Sequence, residues 1–426
     1  MNIELLTIGT ELLLGFTIDT NAAHIARTLG EIGVRLVRRG SVGDRGDDIR
    51  DAVRESLDRT GALITTGGLG PTRDDITKRV VAELYGTPLE FHDEIWQVLV
   101  ERFARMGRVA PAVNRLQAEV PRGATVLRNH WGTAPGLWLE DSRGIVIMLP
   151  GVPREMRMLL AQEVVPRLAA RGANGVIRSR VVRTSGIPES LLAERLGDIE
   201  ERVTPLTLAY LPGYDGVDLR LTAWNLPSAG ADAALADGVG LLRERAGDHV
   251  YGEEERDLAA VLLDAARQRG VRIAVAESCT GGLVGKRLTD TPGSSDVFMG
   301  GVIAYDNAVK TQLVEVPQVL LDTHGAVSEE VASAMALGVA RRLGVSLTLA
   351  VTGVAGPGGG SQAKPVGTVW LATALDGAVK TQRLVLPGSR EEIRLRAAQA
   401  ALLFGLRRLQ SGARLDAPTD GAPTPA

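Results

Sequence analysis

One cysteine, Cys279, stands in the 426 residues, so the chain makes no internal disulfide and no cysteine-rich zinc site. That scarcity fits a reducing compartment, and a cytoplasmic location is expected. Aromatic residues make up only 4%, which leaves Ala, Val, Leu and Ile to build the core. Neither sign of charge dominates. Lys and Arg number 48 against 51 Asp and Glu, a formal net charge of −3, so there is no bulk electrostatic case for nucleic acid or an anionic membrane. The five histidines (His24, His92, His130, His249, His324) are scattered, without metal-ligand spacing. No uncharged apolar run reaches the roughly 18 residues of a membrane span. The opening Met1-Asn2-Ile3-Glu4 lacks a basic start, so no signal peptide is expected. What remains is ordinary globular composition, 45% hydrophobic and 23% charged, which excludes disorder over most of the length. At roughly 150 residues per domain the length suggests about three domains. The 50 glycines and 20 prolines are not periodic and suit an α/β protein with many tight loops.

Apolar runs alternate with helical patterns through the first third. Ile3 to Ile8 reads as a strand ending at Gly9, followed by a helix start at Asp19-Thr20-Asn21 with Ala22, Ile25, Ala26 and Leu29 on one face. Val34 to Val42 reads as a strand, Asp47 to Leu57 as a helix and Ala62 to Thr66 as a third strand. This βαβαβ rhythm implies a parallel sheet. The pattern runs on to a strand at Ile145 to Leu149 and a helix from Pro153 to Leu168, with a domain boundary expected at 171–175. A small α+β module is expected over 172–252, with strands at Val176 to Thr184 and Leu219 to Trp224 and helices at Glu189 to Leu196 and Ala231 to Arg245. Between 172 and 250 it carries 8 basic against 11 acidic residues, which argues for a spacer rather than a nucleic-acid binder. An α/β domain is expected over 253–410, opening on Glu253-Glu254-Glu255-Arg256, with a helix at Leu258 to Arg269, a strand at Val271 to Ala276 and a last helix at Ser389 to Leu409. A disordered tail is expected over 411–426.

The run Gly67-Gly68-Leu69-Gly70-Pro71-Thr72-Arg73-Asp74-Asp75-Ile76-Thr77 follows a strand and opens a helix. Glycines let a backbone approach phosphate, and a helix start offers free N–H donors. Adjacent carboxylates there repel a diphosphate unless a hard cation bridges them. The plain alternative is a tight turn whose aspartate caps a helix. Gly9-Thr10-Glu11 and Leu149-Pro150-Gly151-Val152-Pro153-Arg154-Glu155-Met156 also end strands, and ligands of open parallel sheets bind at such carboxyl ends.

A second constellation lies downstream. Ala274 to Gly282, reading Ala-Val-Ala-Glu-Ser-Cys-Thr-Gly-Gly, carries a strand into a glycine-bearing turn, where neighbouring N–H groups can stabilise an oxyanion. Ser278 and Cys279 both qualify as nucleophiles, although a lone cysteine beside a strand commonly behaves as a small buried hydrophobe. Gly300 to Lys310 is a further strand and helix start. A buried lysine can replace histidine as base, because desolvation disfavours the ammonium, whereas on its own Lys310 reads as a solvated surface residue. Tyr305 and Lys310 have four intervening residues and no dinucleotide fingerprint, so a short-chain dehydrogenase is rejected. Ala350 to Gly360 is a third strand-to-glycine junction without the Gly-Lys-Ser/Thr of a P-loop. Ser389 and Glu392 form a capping box, and Arg390 between them is either an exposed arginine or a phosphate clamp.

The run Gly9 to Gly15, the glycine run 67–77, Gly132-Thr133-Ala134-Pro135-Gly136 and Leu149 to Met156 resemble the N-terminal domain of the CinA family of competence/damage-inducible proteins, itself similar to the MoaB/MogA molybdopterin-binding fold. The downstream segments, with His324-Gly325-Ala326-Val327-Ser328 and Lys364 to Trp370, resemble the CinA C-terminal domain, which is similar to bacterial nicotinamide mononucleotide (NMN) deamidases. The resemblance implies an α/β multidomain chain: a parallel-sheet MoaB/MogA-like domain at 1–171, the small α+β domain, and an amidohydrolase domain. It implies NMN deamidation with Ser278 as nucleophile, Lys310 as base, Tyr305 in support, and Thr352, Gly353, Gly356, Asn307 and Arg390 positioning substrate, with no cofactor. It further implies metal-dependent cleavage of ADP-ribose at the N-terminal end, with Gly67, Gly68, Gly70 and Thr72 facing the diphosphate. Asp74, Asp75, Glu11 and Glu155 would hold a divalent cation (Mg, Mn or Co). A homodimer is expected. Two rival readings are a nucleotide- or pterin-binding protein with a non-catalytic N-terminal pocket, and a competence accessory factor acting through protein contacts.

Overall fold

The computed structural model describes residues 1–171 and 175–413. They fall into two compact units, Met1–Ser179 with Thr222–Leu235, and Arg180–Leu221 with the chain from Ala236 onward.

The first unit contains β1 (Asn2–Ile8), β2 (Arg35–Val42), β3 (Ala62–Thr66), a small antiparallel pair β4 (Leu89–Phe91) and β5 (Glu119–Pro121), then β6 (Thr125–Leu127), β7 (Gly136–Asp141) and β8 (Gly144–Leu149). Its main sheet has the order β2-β1-β3-β8-β7-β6. The four strands β2, β1, β3 and β8 are parallel, as the βαβ rhythm requires, whereas β7 and β6 add an antiparallel edge. The physical reason is length: only two residues separate β7 from β8, enough for a hairpin and far too few for a parallel crossover. Central strands are apolar on both faces because helices cover both. Ile3, Leu5, Ile64 and Ile147 pack with Ala22, Ile25 and Leu29 of the helix Thr20–Glu31, while Leu6, Ile8, Leu63 and Val146 pack with Ile49 and Val53 of the helix Gly46–Thr60. Asp19 caps the first of these helices, its carboxylate accepting from Ala22 N at 2.9 Å. The helix expected unbroken over Pro153 to Leu168 holds a π-turn at Leu160–Val164, just before Pro166, which has no N–H to donate.

The middle segment supplies β9 (Val176–Thr184), β10 (Thr207–Pro212), β11 (Val217–Leu226) and β12 (Val250–Glu253), in the order β10-β11-β9-β12. The unit boundaries run through β9 and β11. In the second unit, β13 (Ile273–Glu277), β14 (Phe298–Ile303), β15 (Leu347–Gly353), β16 (Thr368–Leu375) and β17 (Ala378–Val385) form a sheet of order β14-β13-β15-β16-β17. β13 is parallel to both neighbours and β16 and β17 are antiparallel. Leu258, Leu262, Leu402 and Leu406 cover one face, and Met335, Ala336 and Val339 the other. The last helix, Arg390–Ala413, outruns its expected end at Leu409, so 411–413 are helical rather than part of a tail. The rest of that expected tail, and 172–174 of the expected domain boundary, lie outside the described residues. No helix among the described residues is long and apolar enough to cross a membrane.

Candidate active sites

The parallel register of β13, β14 and β15 sets Glu277 beside Ile303 and Val351. The next residues of each strand therefore meet at the carboxyl end of the sheet. There Ser278, Cys279, Tyr305, Asn307, Lys310, Ala326, Val327, Thr352, Gly353, Ala355 and Arg390 line one cavity of about 200 Å³. This gathers the downstream residues singled out from sequence, except Gly356, which joins through its carbonyl. Ser278 is 8% exposed and its N–H donates to Val351 O at 2.9 Å. Lys310 is no surface lysine. It is 1% exposed, on the helix Asn307–Val314 that Asp306 caps, and its Nζ donates to Tyr305 O at 2.9 Å. Burial pushes its pKa below the usual 10.5, a pull opposed by the nearby Asp306 carboxylate. Cys279 also lines the cavity, but burial pushes its thiol up to about 12, the state of an inert core cysteine.

The remaining groups shape the wall and mouth. Thr352 is buried and its hydroxyl donates to Ala326 O at 2.7 Å. Gly353 has to be glycine by close approach, since a Cβ there would press on Thr368 O, Val369 and the Cys279 sulfur. Arg390 is exposed and bridges two parts of the rim: Nη1 donates to Gly356 O at 2.7 Å and Nη2 to the exposed Tyr305 hydroxyl at 3.1 Å. The capping box forms, Ser389 N donating to Glu392 Oε2 at 2.6 Å. Asn307 is exposed at the mouth. Two residues carry no role in the sequence motifs. Arg394, one helical turn after Arg390, donates to Cys279 O at 3.1 Å and Thr280 O at 2.9 Å, and the (i, i+4) spacing was its available signal. Glu277 is a fully buried carboxylate next to Ser278, signalled only by a charge at the end of an apolar strand.

In the first unit the loops after β1, β3 and β8 also converge. Gly67 N donates to Leu149 O at 3.0 Å, and Asn21, inconspicuous in the sequence, donates through Nδ2 to Gly151 O at 2.7 Å. Gly67 and Gly68 sit at φ +106° and +67°, where a Cβ would run into Ile8 O and the Thr77 hydroxyl. Thr77 closes the loop through its own hydroxyl, which donates to Gly67 O at 3.0 Å. A Cβ on Gly70 would meet the Asp75 carboxylate. That carboxylate caps its own turn, accepting from Thr72 N at 2.8 Å and Thr72 Oγ1 at 2.6 Å. Glu155 accepts from Asn129 Nδ2 at 2.6 Å. Asp74 and Glu11 are exposed, and neither carboxylate has a hydrogen-bond or ion-pair partner among the described residues. Among the described residues no three His, Cys, Asp or Glu come together as a metal set. Asp75 and Glu155 are already engaged by Thr72 and Asn129, so Asp74 and Glu11 are the two carboxylates with free oxygens for a cation bound in the manner of magnesium, by one or two carboxylates and substrate phosphates.

Three family models match the chain: the CinA C-terminal domain over 255–409, a probable molybdopterin binding domain over 4–170, and the damage-inducible protein CinA KH domain over 179–252. In that third segment the β10–β11 turn is Gly213-Tyr214-Asp215-Gly216, where the Asp215 carbonyl accepts from Gln399 Nε2 at 2.7 Å and the carboxylate pairs with Arg287 at 3.7 Å. The CinA-like protein of Gemmatimonas aurantiaca is 55% identical over 406 residues, 94% of this chain and 95% of that relative. The CinA-like protein of Dictyoglomus thermophilum is 40% identical over 408 residues, 96% of this chain and 99% of that relative. The solved structure of the competence/damage inducible protein CihA from Agrobacterium tumefaciens is 41% identical, covering 36% of this chain and 93% of that one, with a TM-score of 0.35. Matched almost end to end by such relatives, and by CinA family models in two of its three segments, the chain belongs to the CinA family.

Proposed function

We propose that the second unit is an NMN amidohydrolase, releasing nicotinate mononucleotide and ammonia in pyridine-nucleotide salvage. The observation that carries this reading is the burial of Lys310 in the same cavity as Ser278, which favours the neutral amine a base requires. Ser278 Oγ attacks the carboxamide carbon as its proton passes to Lys310 Nζ. The tetrahedral adduct then collapses and ammonia leaves with that proton. Water, deprotonated by Lys310, attacks the resulting ester; the acid departs and Ser278 regains its proton. The cavity suits one aromatic amide ring, and Arg390 and Asn307 at its mouth suit the phosphoribosyl group beyond. The test is incubation of pure full-length protein with NMN, following ammonia and resolving nicotinate mononucleotide. No ammonia at high enzyme refutes the assignment and favours an accessory role in competence.

A second reading concerns the first unit: metal-dependent cleavage of ADP-ribose to AMP and ribose 5-phosphate. It is favoured by the convergence of the three loops around a glycine turn that leaves the Asp74 carboxylate unengaged. A bound divalent cation would neutralise the diphosphate and orient water. The glycine turn and Asp74 would bind and orient the substrate. AMP formation with added Mg, Mn or Co tests it, and binding without AMP favours a nucleotide- or pterin-binding pocket.

A further inference from the structure

The turn that carries Ser278 is held from two sides. On one side, Glu277 is 1% exposed and its carboxylate takes three backbone N–H groups: Gly282 at 2.9 Å and Val284 at 3.1 Å on Oε2, and Gly285 at 2.8 Å on Oε1. These belong to the start of the helix Leu283–Thr289, where donors otherwise lack partners. Gly281 and Gly282, at φ +60° and +96°, let the chain double back onto the carboxylate. On the other side, Arg394 takes the carbonyls of Cys279 and Thr280.

A trans peptide points its N–H opposite to its C=O, so the Thr280 N–H faces away from Arg394. The N–H groups of Cys279 and Thr280 have no oxygen acceptor among the described residues. Both lie against the Cys279 sulfur, a weak acceptor, and Cys279 lines the cavity. The three donors of the helix start are already taken by Glu277.

We infer that Glu277 and Arg394 are positioning residues that clamp the Ser278 turn so that the Cys279 and Thr280 N–H groups form the oxyanion hole. The inference rests on the amidase reading of the same site. When the Ser278 Oγ–carbon bond forms, the carbonyl π pair moves onto oxygen and the serine proton goes to Lys310. The two N–H groups then stabilise that oxygen until ammonia leaves and the carbonyl reforms. Neither clamp residue touches substrate.

The experiment uses full-length wild type, Glu277→Gln and Arg394→Lys. Gln keeps the size of Glu but turns an NH₂ toward at least one backbone N–H, so the turn loses its fixed geometry. A misplaced oxyanion donor costs on the order of 10²-fold in kcat, so kcat on NMN is expected to fall about 10- to 100-fold with KM within about threefold. Titration with a fluorophosphonate, which phosphonylates Ser278 and needs the same two donors, counts intact sites and gives a labelling rate. Slower labelling and lower kcat per titrated site support the clamp. Fewer titratable sites with unchanged kcat per site mean a merely structural role and overturn it. If Glu277→Gln yields no folded protein, Arg394→Lys decides, and full kcat and labelling rate there overturn the inference. If wild type releases no ammonia from NMN, the substrate reading fails. The labelling rates still judge the clamp, and equal rates in wild type and variants, or no labelling at all, refute it.

Discussion

Replacing Lys310 with Met removes the proposed base while keeping most of the stem that fills its site. The lysine is 1% exposed and its ammonium makes one hydrogen bond, to Tyr305 O at 2.9 Å. Leaving that carbonyl unpaired costs about 1–3 kcal/mol. Removing a charge from an apolar site acts in the opposite direction, so the net change in stability should stay within about 3 kcal/mol. Activity should respond far more, because a positioned base is worth about 10²–10⁴-fold. Lys310→Met is therefore expected to be folded, with ammonia release from NMN down by that factor. The pH dependence supplies an independent check. Only the neutral amine accepts the Ser278 proton, and burial lowers the lysine pKa from 10.5, so wild-type kcat/KM should rise with pH and level off before 10.5. The sign for stability is the same: the folded state releases its proton at lower pH than the unfolded state, so the burial penalty is present at low pH and relieved as pH rises toward 10.5. Ammonia assays and thermal melts across pH measure both. A Lys310→Met variant that keeps more than about a tenth of wild-type kcat would show that this lysine is not the base.

The two neighbouring candidates for nucleophile should separate cleanly: Ser278→Ala should abolish ammonia release, while Cys279→Ala should retain most of it, because its thiol is pushed up to about 12. The reverse result moves the chemistry to sulfur. For the first unit, Asp74→Asn should lower metal-dependent AMP formation from ADP-ribose without altering NMN hydrolysis, and a chelator should do the same; full AMP production in either case removes the metal assignment. Asp75→Asn is the less clean variant, because Thr72 N and Oγ1 both donate to that carboxylate, and a lower melting temperature should accompany any loss of turnover. Lys78 is buried beside the glycine turn, where desolvation outweighs Glu119 and Asp75 and brings its pKa to about 8 from 10.5. The stability of wild type should therefore rise relative to Lys78→Met between pH 8 and 10.5, by about 3 kcal/mol; a constant difference across that range in urea melts refutes the burial argument.

Much of this protein is legible in the local chemistry of its chain. The strand Ala62–Thr66 and the helix Leu258–Arg269 have the bounds read from sequence, because a short run of apolar and β-branched residues between Gly61 and Gly67 and a helix between Asp257 and Gly270 are signals carried by neighbouring residues. Ser278, Thr352 and the glycines at 67–70 stand out for the same reason, as strands meeting glycine turns. Other features depend on residues far apart in the chain. The helix Asn307–Val314 reads as polar enough for Lys310 to be solvated, and only its packing beneath the cavity buries the amine and lowers its pKa. Asp74 and Asp75 are adjacent letters, yet one carboxylate folds back on Thr72 and the other stays in solvent, a choice made by the turn geometry. Glu155 engages Asn129 from 26 positions away. Glu277 takes its meaning from the doubling back of Gly281 and Gly282, and Arg394 from the approach of the last helix to a turn 115 residues earlier. Periodicity and turn chemistry are local and survive in a one-dimensional string. Burial, desolvation and hydrogen-bond partnership across the chain exist only once the strands have paired.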